Sequence, residues 1–296
     1  MAEYVRAVNL AFGGVGIALL SGAGQPAFLF DERYTPFLST DKPQITLELQ
    51  YGSLPHLDLG RALFDTHLNW SLHRVEERWV YVLRSPGDQV VRSLVLLEPG
   101  LDKGEVHILP APGVEQIPYF PLSFPLAELL MVMLLSRGRG VLLHACGIDD
   151  RGEGLLFSGV SGAGKSTTSR LWAETPGATL LSDDRIIVTR RDQEFWMYGT
   201  PWHGDARVVS PLAAPLEQVY VLKHAQYNQA IPLGPQEATK RLLVRSFPTY
   251  WDAEGMSWTL SFLAELCERV PCHELSFLPD PSAVEYVRCA RSALSI

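Results

Sequence analysis

The chain has 296 residues, of which 47% are hydrophobic and 20% charged, a composition of globular domains and not of disordered or fibrous chains. Lys and Arg total 25 against 33 Asp and Glu, a net charge of -8, which argues against a general nucleic-acid binder with a basic face. Local phosphate binding stays open, because backbone amides at a helix N-terminus can supply it without net positive charge.

The stretch Met1 to Leu19 has Arg6 as its sole early base and is interrupted by Gly13, Gly14 and Gly16. It lacks the basic region and small-residue cleavage site of a secretory leader. The longest apolar block, Leu126 to Leu135, contains Glu128 and is too short to span a bilayer. The four cysteines (Cys146, Cys267, Cys272, Cys289) show no C-x-x-C spacing. A cytoplasmic protein without membrane contact is expected.

From about Glu3 to Pro110 the pattern is short strands broken by turn residues. Ile45, Leu47 and Leu49 alternate with Thr46, Glu48 and Gln50, the period of a half-buried strand. Trp79 to Leu83 and Val90 to Leu97 flank Ser85-Pro86-Gly87-Asp88 and predict a hairpin. A join rich in proline (110, 112, 118, 121 and 125) follows. It predicts a smaller β-rich domain over 1–122, read as a recognition domain, and a second domain over 123–296.

The second half alternates strands and helices. Leu126 to Leu135 reads as a helix, Gly140 to Ile148 and Leu155 to Ser158 as strands, and Lys165 to about Glu174 as a helix. Thr179 to Leu181 is a strand, Arg185 to Arg190 and Glu194 to Tyr198 a hairpin, and Gln218 to Leu222 a further strand. Helices are expected near Glu237 to Val244 and Ser257 to Arg269, a strand near His273 to Phe277, and a last helix from Pro281. The fold class is α/β or α+β.

Gly159-Val160-Ser161-Gly162-Ala163-Gly164-Lys165-Ser166 fits G-x-x-x-x-G-K-[ST]. Gly159, Gly162 and Gly164, with Ser161 and Ala163 between them, let successive N–H groups curl round phosphate oxygens at the helix start. Lys165 is placed to reach the β- and γ-phosphates of ATP, and the Ser166 hydroxyl to ligate Mg²⁺. Thr167, read chiefly as a helix residue, completes the binding stretch. The apolar strand before the loop and the helix after it are the setting the chemistry requires.

Asp183 and Asp184 end an apolar strand 18 and 19 residues after Lys165. They flank the loop if their strand lies beside the loop's own strand. One of the two then binds Mg²⁺ and the other takes the proton of an attacking hydroxyl. The competing reading is a solvated turn. His144, alone on an apolar strand, is by itself more often a satisfied core residue than a functional one.

Leu143-His144-Ala145, the Gly159–Thr167 stretch and Leu181-Ser182-Asp183-Asp184 together resemble the HPr kinase/phosphorylase family, whose core is shared with phosphoenolpyruvate carboxykinases. The likeness spans about Leu142 to Val188. It implies that His144 lies near the transferred phosphate, that Asp183 is the base and that Asp184 helps hold the metal. It also implies a P-loop core of that type and a homo-oligomer. Two features depart from it: the acidic metal ligand of HPr kinases is replaced by Gly199-Thr200-Pro201-Trp202-His203-Gly204-Asp205, and the N-terminal half has no counterpart. The chain looks closer to the HPr-kinase-related proteins of peptide-modification systems than to true HPr kinases.

In the Gly199–Asp205 segment, Thr200, Trp202 and His203 are candidates to line an acceptor pocket, with His203 or Asp205 touching substrate or metal; Trp202 reads equally well as a core plug. Arg207 is a candidate to neutralise phosphate charge. Arg241 and Arg245, four apart, read as a solvated helix face before they read as phosphate ligands. The leading function is a serine kinase: ATP-dependent transfer of the γ-phosphoryl group to a hydroxyl of a peptide, protein or small molecule. The alternatives are a nucleotide-gated peptide-binding module without transfer and a carboxykinase-like small-molecule enzyme.

Overall fold

Two compact units, Met1–Leu130 and Met131–Ile296, make up the chain in a computed structural model. Residues 3–85, 87–110, 119–160 and 162–294 are described. The division falls inside helix α1 (Leu126–Leu135), downstream of the proline-rich join, of which Pro112 and Pro118 lie outside the described residues.

In the first unit, β1 (Tyr4–Val5) pairs with β4 (Phe28–Leu29). An eight-stranded sheet holds β2 (Ala7–Phe12), β3 (Val15–Ser21), β5 (Ile45–Tyr51), β6 (Phe64–Asp65), β7 (Trp70–Val75), β8 (Arg78–Arg84), β9 (Val91–Leu97) and β10 (Lys103–Ile108). Its order is β2-β3-β5-β10-β9-β8-β7-β6. The alternation in β5 buries Ile45, Leu47 and Leu49 completely, and β8 and β9 form the expected antiparallel pair. Phe12, Tyr34, Phe37 and Phe120 form an aromatic cluster, and the Tyr34 hydroxyl donates to the Leu122 carbonyl at 2.9 Å. Leu54, Leu57 and Leu59 pack on Val80, Val82, Leu94 and Leu96 of the sheet.

The second unit is built on β11 (Val141–Asp150), β12 (Glu153–Ser158), β13 (Ala178–Ser182), β14 (Arg185–Arg191), β15 (Glu194–Tyr198), β16 (Ala213–His224), β17 (Gln229–Pro232) and β18 (Cys272–Phe277). Its helices are α2 (Lys165–Ala173), α3 (Pro235–Leu243), α4 (Ala253–Arg269) and α5 (Ser282–Leu294). The sheet runs β12-β11-β14-β15-β16-β18-β17, and β12 also pairs with β16, so five of the strands close on themselves. The architecture is mixed α and β, as expected.

Continuous apolar runs explain the centre. Leu155-Leu156-Phe157 in β12 and Val219-Tyr220-Val221 in β16 run parallel and are buried on both faces. Leu156 and Val219 face Leu242, Phe262, Leu263 and Leu266 of α3 and α4. Leu155, Phe157 and Tyr220 face Trp172 of α2 and Val284 and Val287 of α5. Each fully buried leucine or phenylalanine contributes about 1.5–3 kcal/mol, so the two helical layers hold the central strands rigidly. Asp150, 2% exposed, ties α5 to β11 through Arg288 (2.6 Å) and Arg291 (3.0 Å).

The strand carrying the aspartate pair does not lie beside the loop's own strand. β13 pairs with β11, and β12 lies on the other edge of that half of β11. Arg241 and Arg245 do not share a helix face either, because α3 ends at Leu243. Arg241 is ion-paired to Glu237 and Glu274, and Arg245 sits in the turn just beyond the helix.

Candidate functional site

Backbone register gathers the site. The first half of β11 pairs on one side with β14, setting His144 opposite Arg185. On its other side the His144 amide donates to the Arg245 carbonyl at 2.7 Å, and Leu143 bridges to Ser246. The Ala145 amide donates to the Asp184 carbonyl at 3.1 Å. Residues forty to a hundred positions apart are thereby fixed around one histidine.

The Gly159–Gly164 loop leaves β12 and opens α2. Gly164, the N-cap, has φ +104°, and a Cβ there would run into the Phe277 ring, so only glycine fits. Gly162 has φ +78° and open space where a side chain would be. The loop is braced by His224, whose Nε2 donates to the Gly162 carbonyl at 2.7 Å while its ring stacks on Phe277. Ser161 lies outside the described residues. Lys165, 8% exposed, folds back so that Nζ donates to the carbonyls of Gly159 (2.9 Å) and Val160 (3.4 Å). Burial holds its pKa below the ordinary lysine value, with Arg245 and Arg185 pushing the same way and the Asp184 carboxylate opposing.

A cavity of about 340 Å³ opens in front of this loop. Gly162, Gly164, Lys165, Ser166 and Thr167 line it together with Asp183, Asp184 and Asp205, and His144 and His224 complete the lining. Asp183 is 3% exposed and accepts backbone N–H bonds from Gly204 (2.9 Å) and Ala206 (2.7 Å). Asp184 lies with Oδ1 3.0 Å from His144 Nδ1 and Oδ2 against the Arg185 guanidinium. Burial works against its ionisation, but the His144 hydrogen bond and the charges of Arg185, His144 and Lys165 outweigh it and hold the carboxyl below its usual range. His144 Nδ1 is also 2.9 Å from Arg185 NH1. The nitrogen serves one partner at a time: protonated it donates to Asp184, unprotonated it accepts from Arg185.

Of the Gly199–Asp205 residues, Asp205 alone among the candidates reaches this cavity. Thr200 is fully buried and donates to the Arg185 carbonyl at 2.8 Å, and Trp202 is buried with its carbonyl accepting from Ser182. Neither is placed to line an acceptor pocket. The His203 Nδ1 lies 3.0 Å from the Gly204 carbonyl, and Arg207 is exposed. Cys146 is fully buried under Ser169, and burial pushes its thiol up to about 12, so it is no nucleophile.

A second cavity, of about 530 Å³, lies on the other side of His144. Gly159 and Val160 line it together with Arg185, Val244, Arg245 and Phe247, and Arg185 lies over the Phe247 ring at 4.5 Å. Arg185 and His224 were not among the expected site residues, and Arg245 was read first as part of a solvated helix face. An arginine at a strand start and a histidine at a strand end carry no local pattern that distinguishes them from surface residues.

Among the described residues no three His, Cys, Asp or Glu side chains are grouped to hold a metal ion by themselves. A hard cation that keeps water and phosphate oxygens needs only one or two protein oxygens, and Ser166, Asp184 and Asp205 offer that donor chemistry on the cavity wall. Among the described residues no helix is long and apolar enough to cross a membrane.

No protein family and no curated protein sequence matches the chain. Among solved structures it is similar to the Hpr(Ser) kinase/phosphatase from Coxiella burnetii, at 11% identity and a TM-score of 0.31, over 52% of this chain and 99% of that one. A likeness this slight fixes neither family nor activity.

Proposed function

We propose that the chain is an ATP-dependent phosphotransferase that moves the γ-phosphoryl group to a hydroxyl acceptor, a serine of a peptide or protein being the leading candidate. The observation that carries this reading is one cavity lined by the glycine loop, Lys165 and Ser166 together with Asp183, Asp184 and Asp205. Loop amides and a buried lysine suit polyphosphate, and the facing oxygens suit the Mg²⁺ that accompanies it. When bound, Mg²⁺ supplies charge neutralisation on the phosphate oxygens.

The residues of the chain divide the remaining work. Lys165 exchanges its bonds to the Gly159 and Val160 carbonyls for phosphate oxygens, leaving a weak pair of partners for a strong one. Asp183 spends two of about four acceptor positions on Gly204 and Ala206 and keeps the others for the acceptor's proton. Asp184, fixed by His144 and Arg185, presents its carboxylate to the metal side. His144 stands between the two cavities as a hydrogen-bond donor for developing charge. Catalysis in this arrangement is mainly positioning and electrostatics.

The test is incubation of the protein with Mg²⁺ and γ-labelled ATP against seryl peptides, beside Lys165→Ala. Label transfer that the variant loses supports the reading. Nucleotide binding with no transfer to any hydroxyl would replace it with a nucleotide-gated binding module.

A further inference from the structure

The two cavities on either side of His144 carry opposite charge. The one in front of Lys165 is lined by three carboxylates; the other has Arg185 and Arg245 in a mainly apolar lining and no carboxylate. In a chain of net charge -8 such a hollow is a specific arrangement. Arg185 is neutralised by Asp184. Arg245 is not: among the described residues its side chain makes one hydrogen bond, from NH1 to the Arg241 carbonyl, and no ion pair, while its Nε is buried without a partner. Burial, and then the Arg241 charge, hold its pKa below the usual arginine value.

Position gives this hollow its role. Its wall includes Gly159 and Val160, whose carbonyls receive the Lys165 ammonium, so it adjoins the lysine end of the loop, where the terminal phosphates would lie. Val160 and Val244 are exposed at 62% and 79%, and with Phe247 they give it an apolar side. We infer that this hollow is the acceptor subsite and that it selects an acidic acceptor: a hydroxyl compound with a carboxylate or phosphate beside the hydroxyl and an apolar body beyond. Arg245 pairs with that anion, Val160, Val244 and Phe247 cover the apolar part, and the hydroxyl points past His144 towards Asp183. This deepens the phosphotransfer reading and rests on it.

The experiment uses seryl peptides identical except for Glu, Gln or Lys beside the serine and Leu beyond it, and a small hydroxy acid beside its amide, with Mg²⁺ and ATP. Wild type is compared with Arg245→Met and Arg245→Lys. The expected result is a kcat/KM preference of about ten-fold or more for the acidic over the neutral acceptor, the worth of one charge-assisted pair. Arg245→Met is expected to bring that ratio to about one through KM, with less than about two-fold change in the affinity for the non-hydrolysable analogue AMPPNP, and Arg245→Lys to restore part of it. The peptide and hydroxy-acid arms distinguish the two sources of the anion. A preference for Lys or Gln, or an acidic preference that survives in Arg245→Met, overturns the inference.

If no acceptor takes label, binding of radiolabelled sulfate in equilibrium dialysis decides it, with AMPPNP and Mg²⁺ saturating the loop. One site lost in Arg245→Met supports the inference, and equal uptake by both proteins refutes it. Should AMPPNP itself fail to bind, the phosphotransfer reading fails. The same sulfate comparison in a Lys165→Ala background then still decides the hollow's anion preference.

Discussion

Asp183 and Gly204 are joined by a 2.9 Å hydrogen bond from the glycine amide to carboxylate Oδ1, and Ala206 donates to Oδ2 at 2.7 Å. One buried side chain thus both faces the loop cavity and pins the irregular segment that supplies Asp205. Asp183→Asn removes the charge, and its amide group can accept from only one of those two amides. On the phosphotransfer reading, transfer is expected to fall by about 10²–10⁴ with nucleotide binding retained, and stability by about 1–3 kcal/mol. Single-turnover label transfer, nucleotide titration and urea unfolding read the three effects. Near-normal transfer would remove Asp183 as the base.

Gly204 has no room for a side chain on its aspartate side. A Cβ would meet Asp183 Oδ2 at 2.9 Å and the Asp184 Cβ at 3.3 Å. Gly204→Ala is expected to displace both carboxylates by a few tenths of an ångström and to lower transfer about ten-fold or more, with the global unfolding midpoint changing little. Comparing kcat with the unfolding midpoint separates misplacement from misfolding.

His224 braces the loop through the Gly162 carbonyl and lines the same cavity. His224→Ala removes one hydrogen bond and the stack on Phe277, together worth about 1 kcal/mol, so nucleotide affinity is expected to fall about five-fold. Isothermal titration of AMPPNP measures it.

Lys165 carries a lowered pKa because it is buried. Arrival of phosphate charge favours its protonated form and raises that pKa. Nucleotide binding is therefore expected to take up protons in a window below the ordinary lysine value of 10.5. Calorimetry in buffers of different ionisation enthalpy reads the uptake, and Lys165→Ala is expected to abolish it.

Asp150→Ala leaves the Arg288 and Arg291 guanidiniums facing an empty acceptor position under α5. A loss of about 3 kcal/mol in unfolding free energy is expected. The Asp150 carboxyl is held below its usual range by Arg288 and Arg291, which outweigh the opposing effect of its burial. Its contribution is present above the ordinary carboxylate value and lost as pH falls through the depressed one. The difference between wild type and variant is thus expected to shrink in acid.

Much of the second unit was legible because its strands are continuous apolar runs and its helices have clear ends. Leu126–Leu135 is helical as expected, and α2 starts at Lys165 as the motif demands. The misses are local. β16 begins at Ala213, five residues before the strand predicted there, and includes Pro215, which pairs with Trp196 on β15. α4 begins at Ala253, four residues before the predicted Ser257, capped by the Asp252 carboxylate on the Glu254 amide. β6 and β17, of two and four residues, are too short for any period to show. At the site, the loop and the aspartate pair stood out as motifs. Arg185, Arg245 and His224 come together only through pairing between strands and segments distant in sequence, which no local pattern carries.

β11 is bordered along one half by β14 and the Arg245 segment and along the other by β12 and β13, with a register shift between Gly147 and Ile148. Adding or deleting a single residue before Ala145 would rotate the imidazole to the opposite face and part the two hollows from their common wall. Exchanging side chains at Val160, Val244 or Phe247 leaves that wall in place, whereas a change in the length of the strand does not.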